Sequence, residues 1–404
     1  MGDVVMRIAY INCAYGAAST GRLVADLVNY GNAHGHECIA FYSEWHSDAP
    51  EARRYIRDGE RNVHALLSRI SGLQGYWGRI PTRRLIAALK EFSPDIVHMH
   101  VVHGNCLDLP MLFDYLQREH ICVVITLHDC WWFTGRCVYP TEYGCTKFET
   151  DCKGCPAKND VCPSWFFDRA AKMLDDKRRW LTGVDRLAVI GVSKWISAQA
   201  KKSFIPDDAI HTIYNWVDTD VFRPRESGSL RESLGLVGKK VVLGVANIWE
   251  ARKGLADFIA LADMLPEEYH IVLVGKLDGT PLPARITHIP HTDSKEQLAE
   301  LYSMADVFVN PSKAETFGLT TAEALACGTP AVVYDVAACP ELISSDTGCV
   351  VAPSLSVSGL LDAVRSIHKD ARCSNLCQLR IETVFSLKHG CEEYYMTYNE
   401  IANT

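Results

Sequence analysis

The sequence lacks any apolar run approaching the roughly 18–20 residues of a membrane-spanning helix, and Met1–Ile8 runs into an apparent strand without an apolar leader core. A cytosolic location is therefore the expectation. It lacks excess positive charge: 41 Lys and Arg against 49 Asp and Glu leave a net charge of -8, which argues against a general nucleic-acid binder. Internal repeats and low-complexity tracts are absent. With 48% apolar and 22% charged residues, disordered and fibrous classes fall away. The loop after the first strand is not a Gly-x-Gly-x-x-Gly fingerprint, which disfavours a nicotinamide enzyme. Cysteine is not scarce. Sixteen occur in 404 residues, and in a large chain without an export signal most are expected as reduced thiols.

What is present is a rhythm of short apolar runs separated by helix-length periodic segments. Arg7–Asn12, Cys38–Tyr42, Asp95–Val101, Cys122–Leu127 and Leu187–Val192 read as buried strands. Helices such as Arg22–His34 lie between them. A polar stretch, Phe222–Ser233, reads as a linker. A second series follows: strands Val241–Val245, His270–Val274, Val307–Asn310 and Ala331–Tyr334, with helices Gly254–Met264, Ser294–Met304 and Thr320–Cys327. Near-continuous apolar strands alternating with helices imply parallel sheets covered on both faces. The expected fold is α/β, with two Rossmann-like domains facing each other across a cleft. The expected domains are 1–224, 225–384 and a C-terminal helix, 385–404, returning to the first domain; a Cys-rich insert spans 130–162.

The segment Asn310-Pro311-Ser312-Lys313-Ala314-Glu315-Thr316-Phe317-Gly318-Leu319-Thr320-Thr321-Ala322-Glu323 carries the most chemistry. A strand ends, a loop presents Glu315 and Gly318, and a helix starts near Thr320 with Glu323 in its first turns. The amides at such a start, with the helix dipole behind them, suit a diphosphate. Carboxylates are good acceptors for sugar and ribose hydroxyls. This Glu-x7-Glu pattern, continued through Gly328 and Pro330, resembles glycosyltransferase family 4, the retaining transferases of GT-B fold, and in particular exopolysaccharide and colanic-acid-type members.

The resemblance implies that Glu315 meets the hydroxyls of the donor sugar and Glu323 the nucleotide ribose. Phe317, Gly318, Leu319 and Thr320 would offer backbone to sugar and phosphate. It places Lys253 on the diphosphate, with a departure: Asn247 stands where the family has arginine, and Arg252 is the neighbouring candidate for that charge. His128, in His128-Asp129-Cys130-Trp131-Trp132-Phe133-Thr134-Gly135, matches the histidine that contacts the donor sugar. Gly16, with Ser19, Thr20 and Gly21, matches the family's first glycine loop. His103 is a weaker candidate for the acceptor side.

The implied reaction moves a hexosyl unit from a nucleotide-diphosphate sugar to a glycan or lipid-linked saccharide acceptor with retention. The leaving diphosphate would deprotonate the acceptor on the same face. The acidic pairs Asp175-Asp176 and Asp207-Asp208 lack D-x-D spacing, so no metal or other cofactor is expected for catalysis.

Cys137, Cys145, Cys152 and Cys155, with Cys162 beyond, contain a C-x2-C knuckle compatible with a structural zinc. Disulfides and free buried thiols stay open. Residues 53–90 hold eight arginines and Lys90 against Asp58 and Glu60, a local charge of +7, interleaved with apolar residues. That strip reads either as a solvated face or as a peripheral contact with an anionic membrane surface. Two rival functions remain beside the transferase: a GT-B epimerase or phosphorylase, and a non-catalytic sugar-nucleotide or glycan-binding module.

Overall fold

A computed structural model describes residues 5–161 and 163–403. The chain divides into two compact units. Unit 1 comprises the residues up to Ile213 together with those from Cys391 on, and unit 2 is Tyr214–Gly390.

Unit 1 is built on strands β1 (Arg7–Asn12), β2 (Glu37–Tyr42), β3 (Ala52–Arg54), β4 (Ile96–Met99), β5 (Cys122–Leu127), β6 (Leu187–Gly191) and β7 (Ile210–Thr212). They form one parallel sheet in the order β3-β2-β1-β4-β5-β6-β7. Helices α1 (Ala18–Ala33), α2 (Glu60–Ser71), α3 (Arg79–Phe92), α4 (Leu109–Arg118), α5 (Ala170–Thr182) and α6 (Lys194–Lys201) belong to this unit. All six residues of β5 are buried, which is why its sequence is apolar without alternation. Helix α4 starts where Asp108 accepts the Met111 amide at 3.1 Å, with a proline in its first turn.

Unit 2 holds helix α7 (Gly228–Ser233), then β8 (Lys240–Ile248), α8 (Leu255–Met264), β9 (Tyr269–Lys276), β10 (Ile286–Ile289), α9 (Lys295–Met304), β11 (Val307–Asn310), α10 (Leu319–Ala326), β12 (Ala331–Tyr334), β13 (Gly348–Val351), α11 (Ser356–Ser366) and α12 (Ala371–Val384). Its sheet is parallel in the order β10-β9-β8-β11-β12-β13. The core gathers Val242, Phe258, Leu261, Leu273, Val309, Val332 and Leu360. Phe258 is fully buried and meets Trp249 edge-on with centroids 5.3 Å apart. Truncating such a ring to alanine costs about 3–5 kcal/mol.

The linker stretch is not wholly irregular: Gly228–Ser233 is helical. Helix α13 (Leu387–Asn403) follows, and its tyrosines pack within unit 1 from Cys391 on. Tyr395 donates to the Leu27 carbonyl at 3.0 Å, and Tyr394 shares a 2.9 Å bond with Thr126.

In each sheet the chain winds first to one side of the first strand and then to the other. The order reverses between β1 and β4 in unit 1 and between β8 and β11 in unit 2. Ligands of open α/β sheets bind outside the carboxyl ends at such reversals. The loops after those four strands carry most of the candidate residues.

Candidate functional site

In unit 2, β11 ends at Asn310. Its amide donates to Thr321 Oγ1 at 3.0 Å, and its Oδ1 accepts the Ser312 amide at 3.2 Å. The strand end is thereby tied to the first turn of α10. Gly318 is the N-cap at φ +99 and supplies no side-chain acceptor to the helix start. A glycine there leaves first-turn amides without a capping side chain, at the positive end of the helix dipole. Leu319 and Thr320 are partly exposed in that turn, whereas Phe317 is buried and packs on Tyr214 and Phe385.

Lys253 and Glu315 form an ion pair in which the two side chains are 23% and 13% exposed. Arg252 lies beside them. Its Nη1 donates to the Ala314 carbonyl at 2.9 Å, and its own carbonyl accepts the Lys313 amide at 2.9 Å. Arg252 therefore clamps the backbone of the loop that carries Glu315. Between Lys253 and α8 stands Gly254 at φ +77, where a Cβ would come within 2.6 Å of Pro311 Cγ. Only glycine allows the two loops to meet this closely. Cys339 is buried beside the same pair; burial first, and then the nearby Glu315 charge, push its thiol pKa up.

Glu323 is 7% exposed, and its Oε2 accepts from the buried Tyr302 hydroxyl at 2.9 Å. Asn247 is exposed near the end of β8. The sequence reading missed Asn310, Tyr302, Thr321 and Cys339. Each is an ordinary core or turn residue until the fold brings it to the loop.

In unit 1, Gly16 is exposed at φ +68 after β1, and its amide donates to the Gly21 carbonyl at 2.8 Å. Past β5, His128 shares a 2.9 Å hydrogen bond with His100 Nδ1, and the two rings stack. Burial pushes the His128 pKa down to about 4, against an opposing pull from Asp129. His100 is lowered for the same reason, with His98 and His128 adding to it. His98 is held between Tyr398 at 2.7 Å and Thr126 at 2.8 Å. These rings are uncharged at neutral pH.

His103 pairs with Asp129 Oδ2 at 2.8 Å, while Asp129 Oδ1 accepts the Trp131 amide at 2.8 Å. Burial opposes ionisation of Asp129, but the His103 ring and the Trp131 amide outweigh it and hold its pKa below the usual carboxylate range.

Cys137, Cys145, Cys152 and Cys155 are free thiols, and Cys162 lies outside the described residues. Among the described residues no group of three or more His, Cys, Asp or Glu could hold a metal ion. Burial, reinforced by the neighbouring thiols, pushes Cys137 up to about 12, and burial pushes Cys152 up to about 11. Cys152 Sγ instead accepts the Gly135 amide at 3.2 Å. Asp218-Thr219-Asp220 has D-x-D spacing. Its Asp218 Oδ1 accepts the Asp220 and Val221 amides at 3.1 and 3.4 Å, the pattern of a turn rather than a metal ligand.

A family profile described as Glycosyl transferases group 1 matches residues 239–370. The WcaC protein of Escherichia coli K12, provisionally assigned as a colanic acid biosynthesis glycosyl transferase, is 25% identical over 269 residues, 64% of each chain. A D-inositol 3-phosphate glycosyltransferase of Xylanimonas cellulosilytica is 32% identical over 165 residues, 36% of this chain and 39% of the relative. The matched part of the chain thus spans less than two thirds of the length of these curated relatives. The structure of Anabaena HepE in complex with UDP and glucose superposes with a TM-score of 0.70 at 14% identity, covering 98% of this chain and all of that one. This likeness shows the fold, α/β of the GT-B class. The profile described as Glycosyltransferase Family 4 matches residues 20–221, half of the chain, and the protein therefore belongs to glycosyltransferase family 4.

Proposed function

We propose that the protein is a glycosyltransferase that moves a hexosyl unit from a nucleotide-diphosphate sugar to a hydroxyl of a glycan or lipid-linked saccharide, with retention and without a catalytic metal. The observation that carries this reading is the Lys253–Glu315 pair beside the start of α10. A cation, unshielded helix amides and a carboxylate share one place, which is what a diphosphate joined to a polyhydroxylated ring requires.

Lys253 binds the diphosphate; a cation ~4 Å from a phosphate contributes ~4 kcal/mol at an effective dielectric near 20. The Leu319 and Thr320 amides share that load and stabilise the charge that grows on the leaving group. Glu315, released from Lys253 by the incoming phosphates, accepts from sugar hydroxyls. Glu323 accepts from the ribose, steadied by Tyr302. Arg252 acts through the Ala314 carbonyl by holding the Glu315 loop, and so does not replace the charge missing at Asn247. His128 offers an uncharged ring to the sugar. The diphosphate oxygen takes the acceptor proton on the face it leaves, so the anomeric carbon keeps its configuration with no protein nucleophile.

The likeness to WcaC supports a role in bacterial surface polysaccharide synthesis. The basic strip at 53–90 supports a cytoplasmic protein in peripheral contact with an anionic inner-membrane face.

A panel of nucleotide sugars screened by thermal shift identifies the donor, because ligand at about 100 times its Kd stabilises by ~2.7 kcal/mol. NMR of the product then gives the anomeric configuration. An inverted product refutes retention. Donor binding with no turnover in any acceptor mixture refutes the transferase and leaves the binding module.

A further inference from the structure

Helix α2 has its polarity reversed. It buries His64 and Ser68 and turns Val63, Leu66 and Ile70 outward, 60%, 48% and 40% exposed. A surface helix ordinarily packs its apolar stripe on the core. The spacing 63, 66, 70 puts these three side chains on one face. On the inner face, His64 accepts the Gly75 amide through Nε2 at 3.3 Å, and burial lowers its pKa to about 4, so it sits there uncharged.

A second apolar segment joins this face. Trp165, Phe166 and Phe167 are consecutive and 56%, 64% and 50% exposed. The Trp165 amide donates to the Arg69 carbonyl at 2.7 Å, and the Phe167 carbonyl lies so close to Gly72, the C-cap of α2, that a Cβ there would collide with it. Trp77 donates through Nε1 to Ser71 Oγ at 3.0 Å, and Ile80 is exposed just beyond. The aromatic loop, the outer face of α2 and the start of α3 thus form one surface.

Its charge is predominantly positive: Asp58 and Glu60 are paired with Arg54 and Arg84, and the exposed Asp168 accepts the Cys155 and Ala170 amides. Arg57, Arg69 and Arg83 lie in or beside the same elements, and the Arg169 guanidinium stands 5.3 Å from the centre of the Phe167 ring. Among the described residues none of these four arginines makes an ion pair, whereas Arg61 and Arg79 are matched with Glu44 and Asp108.

We propose that this surface of unit 1 docks on an anionic lipid bilayer, with Trp165, Phe166, Phe167 and the Val63–Leu66–Ile70 face entering the headgroup–acyl boundary and the arginines meeting lipid phosphates. A nucleic acid or an acidic peptide satisfies the arginines but leaves the aliphatic face in water. A second copy of the chain covers the apolar groups but sets arginine against arginine. A bilayer interface with anionic headgroups satisfies both. The proposal deepens the membrane contact put forward above and rests on that contact, not on the transfer reaction.

The test is flotation of the whole chain with vesicles of phosphatidylglycerol and phosphatidylcholine, and with phosphatidylcholine alone. Binding is expected only to the anionic vesicles. Replacing Trp165, Phe166 and Phe167 together by serine weakens it at least about tenfold at any salt, because three buried apolar groups are lost. Replacing all three by leucine restores most of it. Arg57→Glu with Arg83→Glu weakens it by a similar factor at low salt and less at high salt. Val237→Ser, at an exposed residue of unit 2, changes nothing.

Thermal shifts with nucleotide sugars on the same variants show that the fold and the donor site persist, so vesicle binding and donor binding fail separately. The proposal is overturned if the wild-type chain ignores anionic vesicles or if the serine variant floats like wild type. It is equally overturned if sedimentation shows a dimer that the serine change disperses while vesicle binding stays as it was.

Discussion

The two units bring different electrostatics to their sheet ends. Unit 2 presents fixed charge, with Lys253 paired to Glu315 and a guanidinium clamping the loop between strand and helix. Unit 1 presents rings stripped of charge, with His98, His100 and His128 all pushed toward the neutral form by burial. On the function proposed above, the contrast separates two tasks. Holding a diphosphate needs net positive potential, whereas orienting a sugar needs donors and acceptors that do not compete for the phosphates.

The contrast breaks most sharply at its charged end. Glu315→Gln and Lys253→Met are each expected to lower donor turnover by about 10²–10³, the range for removing one preorganised group that stabilises developing charge. The check is chromatography of released nucleotide, with and without acceptor. Equal turnover in Glu315→Gln and wild type removes that carboxylate from the chemistry.

The uncharged end is tested by acid. In the folded chain His64 and His128 have pKa values of about 4, below their value in the unfolded chain. The unfolded chain therefore takes up protons first as pH falls. Unit 1 keeps its full stability above pH ~6.5 and loses it down to pH ~4, by up to about 3 kcal/mol for a fully buried ring such as His64. Hydrogen exchange of unit 1 peptides at pH 7 and pH 5 should show this loss, and His64→Leu should reduce it by the His64 share.

A smaller effect is expected at Gly254→Ala. The positive φ and the contact with Pro311 together cost about 1–3 kcal/mol in the melting of unit 2. The smallest is Arg252→Lys. It loses one charge-assisted bond to the Ala314 carbonyl, worth about 1–2 kcal/mol. Donor affinity should fall about tenfold while the turnover of bound donor changes little; an equal fall in both would place Arg252 on the substrate.

What could be read from the sequence followed the same divide. Strands β1, β5, β11 and β12 were legible to the residue because each is a run of buried apolar side chains bounded by turn residues. Strands β3 and β7, three residues each, have no periodicity of their own and exist by pairing at sheet edges. Helix α1 starts at Ala18 rather than Arg22, because its first turn, Ala-Ser-Thr-Gly, has no apolar stripe to mark it.

Within the site, Glu315, Lys253 and Glu323 stood out by resemblance to the family's motifs. The partner of Glu323 did not, since Tyr302 lies 21 residues back on α9 and only folding brings it near. The reversed face of α2 was also illegible: its apolar residues fit an ordinary amphipathic helix, and only the burial of His64 and Ser68 shows which side is inward.

Calorimetry of the best nucleotide of the panel, alone and joined to its sugar, tests most directly whether Lys253 and Glu315 divide one donor between them. Lys253→Met should weaken both ligands by a similar factor, about 10² or more. Glu315→Gln should weaken only the sugar nucleotide and leave the bare diphosphate bound as tightly as before, or more tightly once Lys253 is unpaired. Wild-type affinity of Lys253→Met for the diphosphate, or an equal loss of both ligands in Glu315→Gln, would contradict the account.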